Sequence, residues 1–315
     1  MPAHVLVLGA GVSGLSAAHE LAAAGHRVTL WAREEPLATT SAVAAALWYP
    51  FEAGPPERVG AWAERAYARF LALARARVPG VVVEDLVDLR TPAIEVPRWV
   101  ERLEAHAALA PGERAGFAQG WRARVPVIET PLYLPWLAER ARTLGTSFER
   151  RTVAGWDETR GFDAVVNCTG LGARVLCDDP ECHPIRGQVA RVPRGTVTRA
   201  LVFQQADGSF GYVIPRAHDC VLGGTAEHGS DSLAIDADTT RAIVARCRAL
   251  EPRLPEQASS AAAGLRPGRR AVRLERERLP DGRALVHDYG HGGCGVTLSW
   301  ACAEDVRALV DEALA

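Results

Sequence analysis

The chain has 315 residues, with 36 basic and 38 acidic side chains and 48% hydrophobic residues. That is ordinary globular usage with apolar material for about two domains, which excludes a mainly disordered chain. A net charge of −2 and a pI near 6.5 leave no field that would collect nucleic acid or an anionic membrane.

Every basic residue is arginine, and the sequence contains no lysine. A lysine Schiff base, a phosphate-loop lysine and a lysine general base are therefore excluded. The seven cysteines, Cys168, Cys177, Cys182, Cys220, Cys247, Cys294 and Cys302, are scattered and lack C-x-x-C spacing. They predict reduced thiols, no metal site and a cytoplasmic location. Met1-Pro2-Ala3-His4 runs straight into an apolar strand, which predicts no secretory signal. The longest apolar stretch, around Ala42–Trp48, is far short of the roughly 20 residues that span a bilayer.

In chain order, Val5–Leu8 predicts a buried parallel strand, Ser13–Ala24 a helix stopped by Gly25, and Arg27–Trp31 a second strand. This is a β-α-β unit. Helices are predicted over Glu57–Val78, Trp99–Leu109 and Leu132–Leu144, the last with Thr130 as N-cap and Pro131 at the first position. Val81–Val83 and Asp163–Asn167 predict further strands. From Gly187 to Gly224 short β-prone runs alternate with Pro, Gly and Asp, which predicts an antiparallel sheet with one face over a cleft. Asp238–Leu250 is a predicted helix capped by Asp238, followed by strands at Val272–Leu279 and Ala284–Val286. The glycine-rich run Gly290–Gly295 then leads into a helix over Thr297–Leu314.

Gly9-Ala10-Gly11-Val12-Ser13-Gly14 follows a strand and opens a helix, the context of a dinucleotide-binding turn. Gly9 permits the turn, Gly11 lets backbone approach a pyrophosphate at the helix N-terminus, and Gly14 lets helix and strand pack closely. Gly9, Gly11, Val12, Ser13 and Gly14 are accordingly cofactor-binding candidates. The second strand ends in Trp31-Ala32-Arg33-Glu34-Glu35, without an acid at the usual ribose position. Either Glu34 serves from further along, or backbone groups and Arg33 hold the adenosine. Thr39-Thr40-Ser41 and the small residues up to Pro50 leave two readings: hydroxyls aimed at the pyrophosphate with small residues against a flat ring, or an Ala-rich helix that only packs.

These motifs together resemble the D-amino-acid oxidases. The resemblance runs along the whole chain. It is carried by Gly9–Gly14 with Leu15-Ser16, Thr39-Thr40-Ser41 through Leu47-Trp48 and Pro50, and Asn167-Cys168-Thr169-Gly170. It continues through Arg186-Gly187-Gln188, Tyr212 with Ile214-Pro215, Leu222-Gly223-Gly224, Leu265-Arg266-Pro267, Arg273–Glu277 and Tyr289–Thr297. The resemblance implies an α/β, two-lobed fold: a Rossmann-type FAD-binding domain of residues 1–50, 146–180 and 265–315, and a substrate domain of 51–145 and 181–264 with a mainly antiparallel sheet. It also implies FAD, a D-amino acid and dioxygen as small-molecule partners, and a homodimer. The expected reaction is oxidative deamination, with hydride transfer from Cα–H to flavin N5. The imino acid hydrolyses to a 2-oxo acid and ammonia, and dioxygen leaves as hydrogen peroxide.

Of the site residues the resemblance implies, Arg266 binds the α-carboxylate, a group that the planar guanidinium fork matches bidentately. Tyr212 is a second donor to that carboxylate. Gly292 and Gly293 bring backbone to the flavin face and offer a carbonyl to the substrate amine. Gly295, Val296 and the N–H and hydroxyl of Thr297 open a helix toward the flavin's N1–C2=O2 side. Thr39, Thr40, Ser41, Leu47, Val153, Thr169 and Gly170 complete the cofactor set. Cys294 replaces an aromatic residue frequent in the family and reads as a packing thiol, His291 as structural, and His228 with Asp231 as a polar loop. Gln204–Ser209 leaves little room for a tyrosine-bearing lid, which predicts an open entrance. The alternatives are a D-aspartate or D-glutamate oxidase, for which Arg216 is the candidate second cation, a flavin dehydrogenase with another acceptor, and a dinucleotide-binding sensor without turnover.

Overall fold

The computed structural model describes residues 2–315. The N-terminal unit is β1 (His4–Leu8), α1 (Val12–Ala23) and β2 (Arg27–Ala32), followed by the short α2 (Thr40–Val43) and the long α3 (Pro56–Arg75). Next come β3 (Val81–Arg90), α4 (Arg98–Glu101), β4 (Glu104–Ala108), β5 (Gln119–Ile128), α5 (Thr130–Thr143), β6 (Ser147–Arg150), β7 (Ala164–Asn167) and α6 (Ala173–Leu176). Strands β8 (His183–Pro193), β9 (Arg199–Gln204), β10 (Phe210–Pro215), β11 (Asp219–Gly223) and β12 (Glu227–His228) precede α7 (Ala237–Leu250). The chain ends with β13 (Ser260–Gly268), β14 (Arg273–Arg278), β15 (Ala284–Tyr289) and α8 (Gly295–Leu314).

Two sheets result. The first has the order β14-β15-β7-β1-β2-β6, parallel except for β14 on β15. Its central strands carry continuous apolar runs, such as Val5–Leu8 and Ala164–Val166, because helices cover the sheet. Leu15, Ala18 and Leu21 of α1 are fully buried, and His19 meets Trp300 of α8 edge-on at 5.1 Å. The second sheet runs β12-β8-β11-β10-β9-β3-β5-β4, with β13 also on β8, and is antiparallel except where β3 meets β9. No helix among the described residues is long and apolar enough to cross a membrane.

Several predicted elements come out differently. Trp99–Leu109 is not a helix; only Arg98–Glu101 is helical, and β4 then lies along β5. The alanines favour a helix locally, but docking on an open strand edge satisfies backbone groups, with an irregular register at Glu104–Ala107 and Ala105 at φ 55°. Thr130 does not cap α5; Glu129 holds the cap position, and the Thr130 hydroxyl donates to the carbonyls of Ala42 and Ala44. Asp236, not Asp238, caps α7, accepting from the Thr239 N–H at 2.6 Å. Strands β5, β6 and β13 carry no clear alternation, and their pairing partners identify them.

Candidate active site

The turn after β1 lies at the carboxyl edge of the parallel sheet, where α/β folds bind ligands. Gly9 has φ +111°, and a Cβ there would stand 2.5 Å from the Cys168 carbonyl. A Cβ on Gly14 would fall onto the Gly9 carbonyl, so this glycine allows α1 to start directly on the turn. Gly14 is buried beneath the loop, whereas Gly9, Gly11, Val12 and Ser13 line a cavity of about 880 Å³. Small-molecule and cofactor sites span roughly 300–1,000 Å³. Arg33 and Val153 line the same cavity, as do Glu34 and Trp31, with the Arg151 guanidinium 4.0 Å from the indole centroid. Arg33 is paired with Glu34 at 2.9 Å.

The hydroxyl cluster reaches the turn in a particular way. Ser41 Oγ accepts the Val12 N–H at 3.0 Å and sits beside Gly11. Thr39 holds the N-cap position of α2, its carbonyl accepting the Ala42 N–H at 3.0 Å, but its hydroxyl donates to the Pro36 carbonyl and makes no side-chain cap. Thr39, Thr40, Ser41 and Leu47 line the cavity, together with Thr169 and Gly170 after β7.

A second helix end faces the cavity from the other terminus of the chain. Gly292, Gly293, Gly295, Val296 and Thr297 line it at the start of α8. A Cβ on Gly293 would lie 2.5 Å from the Phe51 ring, and one on Gly292 would strike the Glu52 carbonyl. The Thr297 hydroxyl accepts from the Tyr49 N–H and donates to its carbonyl, both at 3.1 Å. It therefore ties the Tyr49 loop to the start of α8 at the cavity wall. Cys294 is buried away from the cavity; its sulfur accepts the Phe51 N–H at 2.7 Å, and burial pushes the thiol up to about 12. It packs. His291 is buried with Nε2 3.1 Å from Asp288, and both residues line the cavity. The Asp288, His291 and Cys302 ligand atoms lie within 4.8 Å of one another.

Tyr212 and Arg266 line the cavity on the large sheet. Gly264 on β13 lies opposite Gly187 on β8, and the Arg266 guanidinium lies on Gly187, where a Cβ would collide with it. Arg266 donates to the Thr225 carbonyl at 2.9 Å and, among the described residues, has no carboxylate within ion-pair distance. The Tyr212 ring lies against Gly223 and Gly224 in the same fashion. Burial pushes its phenol above the ordinary value, and the neighbouring Arg266 charge pulls the other way. A guanidinium without a counter-charge beside a protonated phenol is a receptor for a carboxylate.

Two helix N-termini on one cavity, one behind a glycine turn, fit the pyrophosphate at the centre of FAD and the flavin edge that takes up negative charge when the ring is reduced. Comparison with known proteins agrees. The family profile DAO, FAD dependent oxidoreductase, matches residues 4–309. The chain belongs to this family of FAD-dependent oxidoreductases. It is 46% identical over 320 residues to a D-amino-acid oxidase of Rubrobacter xylanophilus, covering 99% of this chain and 97% of that protein. A D-amino-acid oxidase of Streptomyces coelicolor is 43% identical, over 97% of this chain and 96% of its own length. The human D-aspartate oxidase is 35% identical, over 98% and 95% respectively. The structure of a glycine oxidase from Geobacillus kaustophilus superposes with a TM-score of 0.81 at 20% identity, covering 98% of this chain and 95% of that one, which shows a shared fold.

In this oxidoreductase the structure also supplies residues that sequence motifs did not single out. Gly187 appears in a motif, but its service as a shelf for Arg266 depends on the β8–β13 register. Tyr49, Arg90 and Gln204, half-buried and lining the cavity, form a polar network around the fully buried Asp88. Arg216, expected as a second pocket cation, is a correction. It is buried in the β10–β11 hairpin with both Nε and Nη2 on Asp219, at 2.7 and 2.6 Å, and lies away from the cavity. The β9–β10 turn is short, as expected. Leu233, from the segment before α7, lines the cavity and is exposed.

Proposed function

We propose that this chain oxidises D-amino acids to 2-oxo acids and ammonia with dioxygen as acceptor. The observation that carries the reading is Arg266: among the described residues a cation with no carboxylate partner, laid on Gly187 beside the Tyr212 hydroxyl, in the cavity shared by both glycine-rich helix starts. The D-amino-acid oxidases at 43 and 46% identity support the substrate class and its handedness. Arg266 and Tyr212 orient the α-carboxylate, and the backbone at Gly293 approaches the amine, so Cα is positioned by its two polar substituents. Bound FAD supplies the two-electron acceptor for the Cα–H bond and returns those electrons to dioxygen. The protonated phenol of Tyr212 donates without ionising across neutral pH, and no side-chain base is required for a substrate whose amine is neutral.

The partition of strands supports a division into an FAD-binding domain of 1–50, 146–180 and 265–315 and a substrate domain of 51–145 and 181–264. Every strand of the first sheet falls in the former, and β13 carries the second sheet on to Gly268. Seven free cysteines support a reducing, cytoplasmic setting. The commitment of Arg216 to Asp219 speaks against an acidic-substrate variant that relies on it. The deciding experiment is anaerobic absorbance of the FAD-loaded protein with paired D- and L-alanine, followed by peroxide yield in air. Bleaching by the D form alone, with about one peroxide per substrate, is expected. Dye reduction without peroxide would identify a dehydrogenase, and no bleaching by either enantiomer a sensor.

A further inference from the structure

Strands β3, β9 and β10 align so that Asp88 lies beside Val202 and Val202 beside Tyr212. One residue pair along, Arg90 lies beside Gln204 and Gln204 beside Phe210. Side chains two apart on a strand share a face, so Asp88, Arg90, Val202, Gln204, Phe210 and Tyr212 share one face of the sheet. Arg90, Val202, Gln204, Phe210 and Tyr212 line the cavity, and Asp88 is buried against Arg90 without reaching the cavity wall. Arg90 stands two strands across and two residues along from Tyr212, about 12 Å away at roughly 4.8 Å between strands and roughly 3.4 Å per residue. An amino acid held by its carboxylate at Tyr212 and Arg266 can therefore extend its side chain along an apolar wall, Val202 and Phe210 with Phe51, toward Arg90. The Phe51 and Phe210 rings are 5.3 Å apart.

Arg90 is not a free cation. Its Nε donates to Asp88 Oδ1 at 2.7 Å, Nη2 to Asp88 Oδ2 at 3.2 Å and to the Tyr49 hydroxyl, and Nη1 to Gln204 Oε1 at 2.7 Å. Tyr49 in turn donates to Asp88 Oδ2 at 2.5 Å, and Asp88 is completely buried. The far end of the cavity is thus polar but electrically balanced. None of these groups has a part in holding the carboxylate at Arg266.

We propose that Arg90, with Tyr49 and Gln204, forms the side-chain end of the substrate pocket, and that the buried Asp88 behind it sets the pocket's specificity by cancelling Arg90. Neutral side chains are admitted, including those that hydrogen-bond. A carboxylate side chain finds the guanidinium already occupied and meets the charge of Asp88. This inference rests on the D-amino-acid reading above.

D-glutamine and D-glutamate are nearly isosteric and differ in charge, which makes them the probes. In the FAD-loaded wild-type enzyme kcat/KM for D-glutamine should exceed that for D-glutamate by about tenfold or more. Asp88→Asn should raise the D-glutamate to D-glutamine ratio by about tenfold, and Arg90→Gln in that background should cancel the gain. Equal wild-type turnover of the two substrates, or an unchanged ratio in Asp88→Asn, overturns the proposal. If Asp88→Asn does not load FAD, Arg90→Gln alone leaves the Asp88 charge at the pocket end. It should then shift preference toward D-ornithine over D-glutamine, and no shift is likewise fatal. D-alanine, too short to reach the pair, is the control: failure to bleach with it sinks the D-amino-acid reading instead.

Discussion

Arg266 and Gly187 act as one unit, because the guanidinium can lie in the cavity only while residue 187 has no Cβ. Arg266→Ala removes charge-assisted bonds of about 1.5–3 kcal/mol each, so kcat/KM for a neutral D-amino acid should fall roughly 100-fold or more, with the flavin spectrum of the loaded protein unchanged. Gly187→Ala should displace the same guanidinium and raise KM about tenfold in steady-state peroxide assays, although its own side chain touches no substrate. A wild-type KM in Gly187→Ala would show that the contact is incidental. The arginine was legible in Leu265-Arg266-Pro267. The role of Gly187 was not, because it exists only through pairing between segments distant in the chain.

At the scale of elements, β15 is buried along its whole length and carries His287 inside. Its imidazole is 3.3 Å from the Asn167 amide and 3.2 Å from the Glu277 carboxylate. Burial, with the Arg273 charge, depresses its pKa below the ordinary value despite that carboxylate. The unfolded imidazole therefore takes up a proton near pH 6.5 while the folded one stays neutral to lower pH. The unfolded state binds more protons in that window, and stability falls as the pH drops below about 6.5. His287→Gln should flatten the dependence of Tm on pH between about pH 6.5 and 5 in thermal melts, and an unaltered slope would assign the acid sensitivity elsewhere. Element types were legible where one period dominated, as in β1, α1, β7 and α8. They failed at Trp99–Leu109, where alanine-rich sequence suits a helix but an open strand edge recruits it.

For the whole molecule, the cavity draws its walls from both sheets and from both ends of the chain. A ligand that bridges these parts binds only the folded state. Stripped protein given FAD at about 100 times its Kd should gain roughly 2.7 kcal/mol, seen as a Tm rise of several degrees that depends on FAD concentration. Absence of any shift would count against FAD as the group that fills the cavity.

The amino-acid sequence alone determined the glycine turn, the parallel core strands and the glycine-rich start of α8, because local backbone freedom and hydrophobic period are written within a few residues. It also excluded lysine chemistry outright. The tertiary structure decided which arginines are available and which are consumed. Among the described residues Arg266 lies on Gly187 with no carboxylate partner, Arg90 is cancelled by Asp88, and Arg216 is held by Asp219. A charge is useful or neutral according to its partners, and partners on different strands are assigned by register, which no local spacing encodes.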